Sequence, residues 1–367
     1  MGLVFDHVTL GQRVLFGSGR AAEHVAAEVS RLGASRVMVI ASEFELAMAK
    51  EIAAGIEVAL WHDEVVMHVP VEVADRARAA ATDAGIDLIV SVGGGSTTGL
   101  AKAVALTTGI PIVAVPTTYA GSEATNVWGL TEGARKTTGV DDRVLPATVV
   151  YDASLTLSLP VDMSVSSGLN GMAHCIDSLW GPRADPINAS MATEGIRALA
   201  AGLRALVADP EGNGGREQAL YGAYLAAVSF ASAGSGMHHK ICHVLGGTFN
   251  LPHAQTHATV LPYVLAFNAP HAPEAAERIA AAFGTTDAIE GLQALRKTLD
   301  APRALSNYGF TEADIDEAVQ ITLPAIPANN PRPVTQANLT ALLRAALRGD
   351  DPTTLTNVHD QILDVHA

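Results

Sequence analysis

Four histidines and an asparagine after Pro160 in this 367-residue chain have the types and spacings of a chemical site. His239 and His243 are four residues apart, so on a helix they share one face. Asn170 and His174 repeat that spacing on an earlier segment, and His253 follows Pro252 after a glycine-containing bend at 246–250. Imidazole nitrogens gathered in this way can hold a divalent metal. They can equally place a proton donor that titrates near neutrality beside a substrate. A single histidine in an apolar helix is usually a satisfied core or surface group, so it is the convergence of the set that carries weight. His238, His257 and His271 read as ordinary surface or structural histidines.

The first half carries a different chemistry. Gly93-Gly94-Gly95-Ser96 follows an apolar run directly and opens a helical stretch at 97–106. Three glycines let a phosphate approach the backbone N–H groups, and the helix start adds orphan donors and the positive end of the dipole. Ser96 can cap that helix or bond a phosphate oxygen. A tight turn with no ligand is the plainer alternative for so short a motif. A second loop supports the ligand: Pro116-Thr117-Thr118-Tyr119-Ala120-Gly121-Ser122-Glu123 also follows a strand and is dense in hydroxyls. Such a loop can line a nucleotide at the carboxyl edge of a sheet. The GxGxxG fingerprint is absent, since Gly17-Ser18-Gly19 lacks the third glycine. Ser42 ends an earlier strand where an acidic residue often excludes NADP; a neutral serine would repel no 2′-phosphate, so either nicotinamide cofactor is expected.

The elements that must position these residues differ between the halves. Short Val- and Ile-rich runs at 36–42, 87–92, 111–116 and 148–152 alternate with Ala-rich stretches at 21–32 and 71–84, with a less regular strand at 57–68. This alternation predicts a parallel sheet covered on both faces. After Pro160 the segments at 187–207, 216–233 and 273–283 are long, Ala-rich and apolar at helical spacing. The pattern divides the chain into an α/β domain (1–158) and an all-helical domain (159–367), with the active site expected in the cleft between them.

Bulk properties exclude several classes. Hydrophobic residues make up 49% and charged residues 17%, a globular composition that can bury a core without staples. Two cysteines, Cys175 and Cys242, are too few for a disulfide framework and suit a reducing compartment. The formal net charge of −15 argues against nucleic-acid binding. No stretch reads as a signal peptide or membrane span, so a soluble cytoplasmic protein is expected.

Taken in order, these motifs resemble the iron-containing alcohol dehydrogenase family across nearly the whole chain. The strand–GGGS–helix element matches Gly93–Ser96, the PTT…GSE loop matches Pro116–Glu123, and an HxxxHxxGG…PH block matches His239, His243, Gly246, Gly247 and His253. The resemblance implies a Rossmann-like dinucleotide-binding domain followed by an all-α domain, the fold shared with dehydroquinate synthase. It implies that Gly94, Gly95, Ser96, Thr117, Thr118 and Ser122 contact the dinucleotide, with Lys136 near its ribose. It also implies a homodimer, with the Phe5–Leu15 segment at its interface.

Two departures from the family pattern are informative. Metal-binding members have Asp four residues before His; here that residue is Asn170, before His174. Without the anionic ligand, a neutral amide and three imidazoles (His174, His239, His253) make a poorer site for a hard divalent ion. The glycine motif usually continues as GGGSxxDxxK, but Gly99 replaces the Asp three residues before Lys102. Both features, with Asn330-Pro331-Arg332-Pro333, resemble the maleylacetate reductase branch. That branch implies reduction of the conjugated C=C of maleylacetate to 3-oxoadipate by NADH or NADPH, in the breakdown of aromatic compounds. Such a reduction puts charge on an enolate, which hydrogen-bond donors and a general acid can handle without metal. His243 is the expected proton donor or enolate stabiliser, with His239 and His253 shaping the pocket, although the roles among the three stay open. Asn170, His174, Lys240 and Arg332 are the expected partners of the dicarboxylate substrate, and Arg332 suits a carboxylate best. The alternative is a metal-dependent alcohol dehydrogenase or aldehyde reductase of the same superfamily, holding iron or zinc at His174, His239 and His253. A sensor or metal-storage role would leave the phosphate loops without a purpose.

Overall fold

The computed structural model describes residues 4–133 and 135–356, with the side chains of Arg135 and Lys136 outside the description. Its first half alternates strand and helix: β1 (Arg13–Phe16), α1 (Ala21–Leu32), β2 (Val37–Ile40), α2 (Leu46–Ile52), β3 (Val58–His62), α3 (Val71–Asp83), β4 (Leu88–Gly93), α4 (Gly95–Thr108) and β5 (Ile112–Pro116). A hairpin of β6 (Val127–Glu132) and β7 (Arg135–Val140) then precedes β8 (Thr148–Tyr151). Six strands form one parallel sheet in the order β1-β8-β5-β4-β2-β3. The strands β2, β4, β5 and β8 are buried along their whole length, which explains their unbroken apolar runs. One face of the sheet, with Met38, Ile40 and Ile89, packs on α3 and α4 through Ala77 and Leu100. The other, with Val37, Val39 and Val90, packs on α1 and α2 through Val25 and Ala49.

The expected strand at 57–68 is shorter than its sequence run, because only Val58–His62 pairs with β2. The sequence pattern gives no sign of β1 or of the hairpin. Both are half-exposed and mix polar with apolar residues, so neither shows the apolar run of a buried strand.

The second half is helical: α5 (Val161–Ser178), α6 (Pro186–Ala208), α7 (Asn213–Ala233), α8 (Met237–Phe249), α9 (His253–Asn268), α10 (Pro273–Phe283), α11 (Ala288–Thr298), α12 (Ile315–Thr322) and α13 (Gln336–Arg348). Its core is continuous with Val149 and Tyr151 of the sheet and with Tyr119 in the loop after β5. The halves are locked together by buried polar bonds. The guanidinium of Arg216 donates to the carbonyl oxygen of Thr156, and the backbone N–H of Tyr119 donates to Ser167 Oγ at 3.0 Å. Gly121, at φ +78°, lies so close to α7 that a Cβ there would come within 2.7 Å of Ala227 Cβ. The loop after β5 is thereby pressed onto the helical half. Among the described residues no helix is long and apolar enough to cross a membrane. Cys175 and Cys242 are free and buried.

Candidate active site

The strand β4 turns into α4 through Gly93 and Gly94. Gly93 has φ +152°, and a Cβ on it would lie 2.6 Å from Glu45 Oε2 and closer still to Thr97 Oγ1, so only glycine closes this turn. Gly94 is the N-cap of α4, and no side chain caps the helix. The first-turn N–H groups of a 14-residue helix are therefore open to an anionic ligand, and the residues fit a nucleotide phosphate. Ser96 stands at the second helical position, so it does not cap the helix; its half-exposed hydroxyl is placed for a phosphate oxygen.

The neighbouring loop is held from both ends. Thr117 Oγ1 donates to Glu45 Oε1 at 2.8 Å. At the far end the buried Lys102 donates through Nζ to the carbonyl oxygens of Ser122, Thr125 and Val127 at 2.6, 2.8 and 2.8 Å. Burial draws the Lys102 ammonium down to about 7. Between these anchors, Tyr119 bonds Ser167 on α5, and its carbonyl oxygen faces Gly171, where a Cβ would lie at 3.4 Å. Asn170 sits between those two contacts on α5, so the nucleotide loop and the histidines meet along one helix.

The histidines come from α5, α8 and α9. The rings of His174 and His239 are stacked, with 4.7 Å between centroids and 17° between planes. Phe230 of α7 closes on them at 4.7 and 4.3 Å. His257 lies 4.9 Å from His239 and 4.3 Å from His253, and His243 lies 6.0 Å from His239. Asp177, three residues after His174 on α5, accepts from His239 Nδ1 at 2.7 Å and from the backbone N–H groups of His239 and His238 at 3.2 and 3.4 Å. That bond assigns the proton of His239 to Nδ1 and leaves Nε2 with a lone pair in the cluster.

Burial governs the electrostatics. It lowers His174 to about 3 and His238 to about 4, and holds His239 and His257 well below their ordinary value, with neighbouring imidazoles adding to the effect at His174, His239 and His257. These four rings are neutral at pH 7. Burial also pushes Asp177 up to about 7, against the N–H groups that favour its charged form. Asn170 Oδ1, His174 Nδ1 and His239 Nε2 are buried and have no partner among the described residues. Orphaned groups gathered in one place mark a site that a polar substrate or a cation would satisfy. For a cation the fit is partial. The imidazoles whose nitrogens lie within 4.8 Å of one another are those of His238, His239 and His257. The expected His174 and His253 lie outside that set, the donor at 170 is an amide oxygen, and the carboxylate of Asp177 is committed to His239 Nδ1.

The structure thus brings together His174, His239, His243 and His253, with Asn170 one turn before His174. Lys240 is half-buried on α8 beside His239. Gly94, Gly95, Ser96, Thr117, Thr118 and Ser122 line the carboxyl edge of the sheet. Lys136 is paired with Thr131 in the hairpin, but its side chain lies outside the described residues. Arg332 is a correction. Its guanidinium stacks on Phe267 at 4.5 Å and donates to the carbonyl oxygen of Leu355 at 2.9 Å. Phe267 is 10 residues beyond His257 on α9, about 15 Å at 1.5 Å per residue, so Arg332 stands apart from the histidines and its guanidinium holds the chain's own C-terminal turn. His238 and His257, expected to be surface or structural, are wholly buried in the cluster, so the structural alternative holds for both. His257 stands four residues after His253, the spacing that flags the other pairs. Asp177 and Phe230 carried no such signal.

Residues 11–153 match the iron-containing alcohol dehydrogenase family, and residues 164–347 match the C-terminal part of the Fe-containing alcohol dehydrogenase family. The chain belongs to the iron-containing alcohol dehydrogenase family and is an oxidoreductase. It is 46% identical over 356 residues to a maleylacetate reductase of Sphingobium indicum, covering 96% of this chain and 100% of that one. Among solved structures it is similar to an iron-containing alcohol dehydrogenase from Corynebacterium glutamicum, with a TM-score of 0.96, 69% identity, and coverage of 97% and 100%. It is also similar to a maleylacetate reductase from Agrobacterium tumefaciens, with a TM-score of 0.90, 40% identity, and coverage of 96% and 100%.

Proposed function

We propose that the chain reduces the carbon–carbon double bond of maleylacetate, conjugated to its ketone, with NADH or NADPH, and that the product is 3-oxoadipate. The turn at Gly93–Gly94, the open N-terminus of α4 and the Thr117–Ser122 loop hold the dinucleotide. When bound, the reduced nicotinamide supplies a hydride to the alkene carbon remote from the ketone. Charge then develops on the ketone oxygen as an enolate, and the carbon beside the ketone takes a proton. His243 delivers that proton. It is half-exposed and can reload from water, whereas His174, His238, His239 and His257 are held neutral by burial. His239, with its Nδ1 proton committed to Asp177, orients the pocket. The Asn170 amide and Lys240 are the donors for the substrate carboxylates.

The observation that carries this proposal is the neutral residue set around Asn170, which has no anionic anchor for a Lewis acid and leaves the enolate oxygen to N–H donors such as His243 and the Asn170 amide. Turnover is therefore metal-independent. The second reading is a metal-dependent alcohol dehydrogenase or aldehyde reductase, favoured by the orphaned nitrogens of His174 and His239. In it, His174, His239, His253 and Asn170 Oδ1 would hold the ion, which would polarise a carbonyl. The test is NADH oxidation with maleylacetate by protein pre-treated with a strong chelator. Undiminished turnover supports the first reading; activity that vanishes and returns with iron or zinc establishes the second. A homodimer belongs to the same proposal, supported by the edge strand β1 and the exposed Val4, Phe5 and Val8 before it. So does a cytoplasmic location, supported by two buried free thiols.

A further inference from the structure

We propose that Glu45 is the acidic partner of the adenosine ribose and biases the chain toward NADH over NADPH. The end of β2 carries Ser42, which has no charge to offer. The chain turns there, with the Glu45 N–H donating to the Ser42 carbonyl oxygen at 2.9 Å, and this brings the Glu45 carboxylate back over the strand end. Ser42 Oγ donates to Glu45 Oε2 at 2.7 Å, and Thr117 Oγ1 donates to Oε1 at 2.8 Å from the far side of the glycine turn. Oε2 also lies 2.6 Å from where a Cβ on Gly93 would be, so the carboxylate rests on the turn itself.

The carboxylate is thus fixed among the ends of β2, β4 and β5. In open parallel sheets the adenosine ribose lies over this point, and an acidic side chain accepts its hydroxyls. Each carboxylate oxygen accepts about two hydrogen bonds, so one hydroxyl donor on each leaves lone pairs for the ribose 2′- and 3′-hydroxyls. A 2′-phosphate would instead set two anions against each other. No lysine or arginine among the described residues pairs with Glu45, so nothing offsets the repulsion.

The inference rests on the dinucleotide binding at this turn, and its test does not need the substrate. NADH and NADPH are titrated separately against wild type and Glu45→Gln, following nicotinamide fluorescence; glutamine keeps the size and one acceptor oxygen but removes the charge. Wild type should bind NADH at least tenfold more tightly, and the variant should shrink that preference tenfold, chiefly by gaining NADPH affinity. Independently of any variant, wild type should bind 5′-AMP and discriminate against adenosine 2′,5′-bisphosphate. Equal wild-type affinity for both nucleotides overturns the proposal, as does an equal loss of both in the variant, which would make Glu45 only a strut. If wild type binds neither nucleotide, both this inference and the proposed function fail. If the binding pattern holds without maleylacetate reduction, only the proposed function fails.

Discussion

Replacing Asn170 by Asp should turn a weak cation site into a strong one and destabilise the metal-free protein. Asn170 is 2% exposed, and its Oδ1 has no partner among the described residues. The introduced carboxylate would face imidazoles that burial keeps neutral, so no positive charge offsets it. An uncompensated buried charge costs about 3–5 kcal/mol, and the carboxyl escapes part of this by holding its proton. Taking ~3 kcal/mol, and an unfolding entropy of ~2.1 cal/mol/K per residue over the 367 residues, Tm should fall by about 4 °C in EDTA. Zinc at about a hundred times its Kd returns ~2.7 kcal/mol, nearly the whole loss. The assay is thermal unfolding of wild type and Asn170→Asp in EDTA and across a zinc titration, with metal content measured on the same samples. The reasoning is refuted if the variant is unchanged in EDTA and zinc raises wild type as much as the variant. The neutral donor set would then already suffice for metal.

Three other outcomes are expected. His243→Ala should lower kcat for maleylacetate by about 10²–10⁴-fold while NADH binding is retained; a loss under fivefold in steady-state kinetics would remove His243 as the proton donor. Arg332→Ala should lower Tm by several degrees, through loss of the Phe267 stack and the Leu355 bond, and leave KM for maleylacetate unchanged. A tenfold rise in KM at unchanged Tm would return Arg332 to the substrate site. Chelator-treated protein should be less stable at pH 5 than at pH 7.5. The folded-state values of His174, His238, His239 and His257 lie below the ordinary one, so the unfolded chain takes up protons below about 6.5 that the folded chain refuses. Asp177, raised by burial, acts in the opposite direction but is one group against four; a Tm that is flat or higher at pH 5 would contradict the burial of the cluster.

Much of this protein is set by local sequence. Strands buried on both faces must be apolar throughout, so β2, β4, β5 and β8 show as runs of valine and isoleucine. Three glycines between a strand and a helix mark a tight turn that a phosphate can approach at the backbone. The pairs Asn170–His174 and His239–His243 are legible because the helix pitch puts residues four apart on one face. The choice of asparagine at 170, which sets the charge of the site, is likewise a property of the sequence alone.

What only the tertiary structure decided depends on which distant surfaces meet. Arg332 has the chemistry of a carboxylate binder, but α9 is long enough to carry its partner Phe267 about 15 Å from the nearest histidine on that helix, His257. His238 and His257 lie beside flagged histidines in sequence, yet only the packing of α5, α8 and α9 buries them and strips them of protons. Asp177 becomes the orienting group of His239, 62 residues away in sequence, because α5 and α8 converge. Glu45 reaches the glycine turn because the chain folds back after β2 and meets a threonine 72 residues further on. Spacing along a helix or strand is fixed by backbone geometry and can be read from the sequence. Burial, and with it charge state and reach, is fixed only when the elements pack.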